Sequence, residues 1–421
     1  MPFTKAMTEH VIKETIPAEQ HIIDLQNVFN SNGVNKFLYL AYGETWHLAP
    51  PQLQSLLMEA DLMDNGYQLS SWGRPRYREV LHRYIFEQNK LPSNCDWIVG
   101  WSSTGTRTKI YDFARLVKNA ADSAPMLIFA APSWDYQGVF GSLNYRMNSF
   151  SLSCENNFLP LIDDFHDCLK KYCSAGKNHN IVVVLNTQHN PTGVNWPEHL
   201  TKQYLQLALE YQTSILIDDA YFGVDSKSEP ATSALRILFE LSAGQLKQPW
   251  LAVRSLGKQF QCNGWGLGAV VGERAVMEKM GKLSYDHTYG YGGVWQSAMA
   301  KWLFMPESTD FISQFCQNLE DKKNYIKSFF STQSDYPTKF LYNSTCSPYY
   351  LLKVPKIFHK DFYPNRSFLL DILNKHHLIV APANMALLEN DAHSDWIRLY
   401  LGPSMAIVEQ ACAKLAQYSW Q

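Results

Sequence analysis

The chain has 421 residues, 46 % of them hydrophobic and 18 % charged, which is long for one compact domain and too apolar for a disordered chain. Its formal net charge of −2 leaves no basic footprint for nucleic acid or an anionic membrane, Met1 to His10 lacks the apolar core of a signal peptide, and no apolar run is long enough to span a bilayer, so the expectation is a cytoplasmic protein with neither kind of partner. The eight cysteines never form C-x-x-C and the thirteen histidines never form H-E-x-x-H, so neither a disulfide framework nor a metal site is expected.

Residues 1–36 read as helical pieces with little chemistry. Phe37 to Tyr42 then runs apolar into Gly43, followed by Glu44, Trp46 and His47. Gln52 to Met63 carries leucine and methionine at helical spacing, and Tyr67 to Arg78 is a loop rich in aromatic and arginine side chains, suited to a binding surface or an interface. The spacing predicts a strand at Trp97–Trp101, a small-residue turn at Ser102–Thr106, and a helix bearing Ile110, Phe113, Ala114 and Val117. That geometry points free backbone N–H groups at an anion. Strands are predicted at Met126–Ala130, closed by Pro132–Tyr136, and at Ile181–Leu185, which stops at Asn186–Gly193. A helix at 197–211 and a strand at Ile215–Tyr221 follow. Apolar strands joined by helices imply a parallel sheet covered on both faces, with chemistry at its carboxyl ends.

At 250–268 an apolar run ends at Ser255, Lys258 and a cluster of glycines. A lysine at the end of a buried strand is costly unless its charge is removed or used, and a Schiff base with a carbonyl cofactor does both. Beyond residue 300 the pattern changes to a helix at 311–330, short strands at Lys339–Tyr342 and Tyr349–Lys353, a helix at 368–375, and strands at Leu378–Val380 and Trp396–Leu401. These read as a second, smaller α/β lobe.

Asn190-Pro-Thr-Gly193, Asp218-x-Ala-Tyr221, Ser255-x-x-Lys258 and Arg398, in that order, resemble the class I/II aminotransferase family of fold-type-I pyridoxal-phosphate enzymes. The resemblance runs from Gly43 to Arg398. It implies an α/β fold with a large cofactor-binding domain over 51–300 whose sheet is mixed and mainly parallel, a smaller α/β domain over 301–421, and a segment 1–50 joining the smaller domain. It further implies a Schiff base between Lys258 and pyridoxal 5′-phosphate, with Asp218 pairing to the ring nitrogen. Period-two alternation sends the neighbouring Asp219 to the opposite face of the strand. Asn190 and Tyr221 match the pair on the cofactor's phenolic oxygen, Trp134 the aromatic stacked on its ring, and Thr104, Gly105, Thr106 and Ser255 the phosphate cradle. Tyr67 resembles the tyrosine that reaches the phosphate of a neighbouring subunit, which implies a homodimer. Arg398, expected on the non-core face of its strand, matches the fork that binds the substrate carboxylate, with Gly43 beside it.

One position departs from the pattern. The family usually carries an arginine eight residues after the lysine, and here that residue is Gly266. Arg107, then Arg254, Arg74 and Arg76, are the candidate substitutes as phosphate ligands. The resemblance implies transamination of an α-amino acid to a 2-oxo acid. Lyase, cyclase and oxidase chemistries use the same residues, and a regulatory protein that keeps the fold without turnover is the reading of a different class.

Overall fold

The computed structural model describes residues 37–420 apart from 44, 46, 47, 122, 362 and 386–392. The expected helical pieces before residue 37, and Glu44, Trp46 and His47, lie outside the described residues. The described strands are β1 (Leu38–Leu40), β2 (Ile98–Ser102), β3 (Met126–Ala131), β4 (Arg146–Ser151), β5 (Asn178–Leu185), β6 (Thr213–Asp218), β7 (Trp250–Ser255), β8 (Gly268–Gly272), β9 (Tyr349–Lys353), β10 (Leu378–Pro382) and β11 (Trp396–Tyr400). They form a seven-stranded sheet of order β2-β8-β7-β6-β5-β3-β4 and a four-stranded sheet of order β1-β10-β11-β9. In the larger sheet β4, β3, β5, β6 and β7 are mutually parallel, and β8 is antiparallel to both its neighbours.

The parallel strands are buried on both faces, and their side chains sort by period two. Ile128, Val183, Ile215, Ile217 and Ala252 enter one apolar cluster, while Leu127, Phe129, Val182, Val184, Leu216, Leu251 and Val253 enter another on the opposite face. At about 1.5–3 kcal/mol for each fully buried aliphatic side chain, this double packing fixes the strand ends where β5, β6 and β7 stop.

The structure departs from the sequence expectation in six places. The strand expected at Ile215–Tyr221 ends at Asp218, because Phe222 N–H turns back to the Asp219 carbonyl and Val224 N–H to that of Tyr221. The segment expected as a strand at Lys339–Tyr342 contains instead the 3-10 turn Thr338–Phe340, which follows Pro337. Gln52–Met63 is not one helix: Pro51–Ser55 is followed by two 3-10 turns, the second capped by Asp61. Two strands went unread, β4 because it is polar and partly exposed, and β8 because it begins inside the glycine cluster. Arg398 does not lie on an outer face, since every residue of β11 is buried and Arg398 is 1 % exposed.

β1 runs parallel to β10, so residues 38–40 belong to the smaller sheet. Gly43, a few residues on, approaches the larger sheet's machinery: a Cβ there would lie 2.7 Å from the Tyr349 hydroxyl and 3.6 Å from that of Tyr221.

Candidate active site

The site is built where the carboxyl ends of β5, β6 and β7 face β9 and β11 of the smaller sheet. Its floor is buried: Asp218, Tyr221, Asn190, Tyr349 and Arg398 are each 5 % exposed or less. Its rim, with Gly43, Trp134, Ser255 and Lys258, keeps part of its surface open.

Ser255, the last residue of β7, caps the short helix Leu256–Gln259 by accepting a hydrogen bond from Lys258 N–H at 3.3 Å. This turn carries the Lys258 side chain over the Tyr221 ring, with Nζ 4.6 Å from its centroid. Burial lowers the lysine's pKa, Asp218 works against that, and Arg398 and Arg107 add to it. The environment therefore shifts the lysine toward the neutral, nucleophilic amine.

Asp218 ends β6. Its Oδ2 accepts a hydrogen bond from the Tyr136 hydroxyl at 2.8 Å, and its Oδ1 is buried with no hydrogen-bond partner among the described residues. Burial raises its pKa against the pull of Lys258, the Tyr136 hydrogen bond and the backbone N–H of Ala220. Asp219 points the other way, 3.9 Å from the guanidinium of Arg254. Burial lifts its pKa to about 7.

Asn186, just past β5, ties this corner together by donating to the Asp218 carbonyl at 2.5 Å and accepting from Asn190 N–H at 2.8 Å. Asn190 Oδ1 in turn accepts from Arg398 at 3.2 Å, and the other arm of the Arg398 fork donates to the Ala41 carbonyl at 3.2 Å. Arg398 Nε has no partner among the described residues. Trp134 stands edge-on to Tyr136, with ring centroids 5.3 Å apart, and the Arg107 guanidinium lies 4.7 Å from the Trp134 ring centre.

Thr104, Gly105 and Thr106 lead into the helix Thr106–Asn119, whose first turn has no side-chain cap. Gly105 N–H is spent on the Gly266 carbonyl at 2.8 Å, and the Thr104 and Thr108 hydroxyls bond each other at 2.7 Å. The N–H groups of the first helical turn are what this cradle offers an anion. A Cβ on Gly268, which pairs with Ser255, would lie 2.7 Å from the Thr106 methyl, so Ser255 and Thr106 flank one spot. Gly266 has φ +64°, and a Cβ there would sit 3.3 Å from the Ser103 carbonyl.

The four arginines weighed for the missing charge separate cleanly. Arg254 is buried against Asp219, the Phe222 ring and Asn89, and Arg74 and Arg76 pair with Asp64. Arg107, paired with Asp135 at 2.7 Å and half-exposed, is the one whose charge reaches Lys258. Tyr67 stands apart from these groups: it is 71 % exposed and touches Tyr289 and Tyr291. Sequence reasoning missed two residues, Asn186 and Tyr349, and the partnership of Tyr136 with Asp218. Asn186 could have been singled out because it opens the turn that ends at Asn190.

No helix among the described residues is long and apolar enough to cross a membrane, and no group of three or more metal-ligating side chains occurs among them. The model of the family "Aminotransferase class I and II" matches residues 33–415. An LL-diaminopimelate aminotransferase of Aquifex aeolicus is 23 % identical over 55 % of this chain, which thereby spans 53 % of that protein's length. A probable aspartate/prephenate aminotransferase of Rickettsia felis is 21 % identical over 82 % of this chain and 79 % of its own length. The solved aspartate aminotransferase from Thermus thermophilus with maleate superposes with a TM-score of 0.76 at 17 % identity, covering 99 % of this chain and 100 % of that one. An aminotransferase from Mycobacterium tuberculosis gives 0.77 at 16 %, covering 96 % and 97 %. At such identities the likeness is one of fold, the mixed, mainly parallel α/β fold of type I. The family match spans most of the chain, and the chain belongs to the class I and II aminotransferase family.

Proposed function

We propose that the protein is a pyridoxal-phosphate-dependent aminotransferase that converts an α-amino acid to its 2-oxo acid. The observation that carries this reading is Asp218 Oδ1, a buried carboxylate oxygen left without a donor beside a lysine whose pKa is lowered by burial. A protonated ring nitrogen is the partner such an oxygen lacks. The donor set fits the rest of the group as well: an aromatic face at Trp134, hydroxyl and amide groups at Tyr221 and Asn190, and an uncapped helix start beside Ser255.

Pyridoxal phosphate, when bound, supplies a reactive carbonyl and an electron-accepting ring. The chain's residues supply the rest. Lys258 would hold the cofactor's carbonyl through its amine and would move the proton at the amino acid's α-carbon as general base and acid. Asp218 keeps a proton on the ring nitrogen. Arg398, a planar fork already braced by Asn190 and Ala41, orients the substrate carboxylate. Tyr221 and Asn190 hold the phenolic oxygen, Thr104, Gly105, Thr106 and Ser255 hold the phosphate, and Arg107 adds the charge that Gly266 cannot.

A homodimer follows from the same reading. Tyr67 is exposed, touches Tyr289 and Tyr291, and lines one surface cleft with Gly292 and Trp295. Gly292 of that cleft abuts Ser103, next to the phosphate loop, so a second copy seated there would reach it. Segment 1–50 and domains 51–300 and 301–421 remain the working division, supported by β1 pairing into the smaller sheet. A cytoplasmic setting agrees with eight unpaired cysteines.

Single amino acids added to the holoprotein without an acceptor test the activity. Transamination converts the pyridoxal absorbance to that of pyridoxamine and releases one equivalent of 2-oxo acid. Ammonia released over many turnovers with the pyridoxal band intact would make the protein a lyase instead.

A further inference from the structure

We propose that Tyr349 is a positioning residue that links the carboxylate-binding arginine to the cofactor-binding tyrosine, and that it sets how strongly Tyr221 donates its proton. The inference rests on the pyridoxal-phosphate reading of the site.

Tyr349 opens β9, opposite Tyr400 of β11, and is 3 % exposed. It touches three groups already assigned to the site. Its hydroxyl is 2.7 Å from that of Tyr221. Its ring lies under Arg398, with the guanidinium carbon 4.3 Å from the centroid. Its hydroxyl also fills the space that a side chain at position 43 would occupy, 2.7 Å from a Cβ there. The backbone behind it is held by Ser344, which donates to the Tyr349 carbonyl at 3.1 Å.

Two facing phenols share one hydrogen bond, so one donates and the other keeps its proton for a different acceptor. With the phenolic oxygen of the cofactor as that acceptor, Tyr221 donates to it and Tyr349 donates to Tyr221. Donors in series polarise one another, so Tyr349 strengthens the Tyr221 bond. The Arg398 cation over the Tyr349 ring makes that phenol a better donor still. A substrate carboxylate on Arg398 offsets this charge and weakens the series. Occupancy of the carboxylate site is thereby reported to the phenolic oxygen through two tyrosines, and the smaller sheet acts on the chemistry of the larger one.

The test is a pH titration of the visible absorbance of the holoprotein. Weaker donation leaves the cofactor's phenolate less stabilised and its proton held to higher pH, so Tyr349→Phe should raise the apparent pKa by roughly half a unit to one unit, the scale of one hydrogen bond. Tyr221→Phe should raise it further, and adding Tyr349→Phe to that variant should change nothing more, because the effect passes through Tyr221. Should Tyr349→Phe fail to fold, Gly43→Ala, whose Cβ would press on the Tyr349 hydroxyl and displace it, should give an upward shift as well. An unchanged pKa in a folded single variant, or an equal shift with Tyr221 already removed, would overturn the linkage. A parent protein that shows no cofactor absorbance at all would instead overturn the underlying reading.

Discussion

At the scale of single residues, the two adjacent aspartates give the sharpest contrast. Asp218 leaves one oxygen without a hydrogen-bond partner on the side where Lys258 acts on it, whereas both oxygens of Asp219 lack one and its Oδ2 faces Arg254 across 3.9 Å. The same change should therefore do different things. Asp218→Asn should fold and bind cofactor yet lose turnover by roughly 100-fold or more, the scale of a missing preorganised charge. It also removes the anion that supports the Lys258 ammonium, so that lysine's pKa should fall further. Asp219→Asn removes a carboxylate that faces the buried Arg254 and should show as lost stability with turnover largely kept. Parallel thermal melts and rate measurements check this, and the reverse pattern would exchange the two roles. This much was legible from the sequence, because alternation along a strand separates neighbours in sequence to opposite faces. The hydroxyl partner of Asp218 was not legible: Tyr136 opens the short helix after β3, and which strand ends lie side by side depends on sheet order. Tyr349 was hidden for the same reason, since it was read only as part of a short apolar strand.

At the scale of elements, most strands and helices could be read from apolar periodicity, and the failures share a cause. β4 and β8 are held in place by their neighbours, not by their own composition, β4 at the sheet edge with half-exposed polar residues and β8 rich in glycine between β2 and β7. The expected strand face at Arg398 was wrong because the smaller sheet is covered on both sides, which a single strand's pattern does not reveal. The helix Thr106–Asn119 shows the functional consequence of Gly266. A glycine at φ +64° accepts Gly105 N–H with its carbonyl and extends no charge toward the cradle. On the proposed reading, cofactor phosphate would rely on the first N–H groups of this helix, on Ser255 and on Arg107. A cation in the first turn of a helix opposes the dipole, and an anion nearby reverses that cost. With Arg107 half-exposed and shared with Asp135, Arg107→Ala should weaken cofactor binding by roughly tenfold, discounted from a full charged hydrogen bond. Titration of apo-protein with pyridoxal phosphate measures it, and equal affinity in variant and parent would assign the phosphate charge elsewhere.

At the scale of the whole molecule, the larger sheet supplies Asp218, Ser255 and Lys258 from strand ends, and the smaller sheet supplies Arg398, Tyr349 and, through β1, the approach to Gly43. Neither sheet holds the site alone. Four groups converge on the surroundings of one amine: Tyr221 under its Nζ, Asp218 raising its pKa, and Arg398 and Arg107 lowering it. The central claim is that this amine carries the cofactor. Purified protein loaded with pyridoxal phosphate should absorb in the visible, and borohydride reduction followed by peptide mapping should place the phosphopyridoxyl label on Lys258 alone. A label on any other lysine, or none from protein that demonstrably holds the cofactor, would contradict the account.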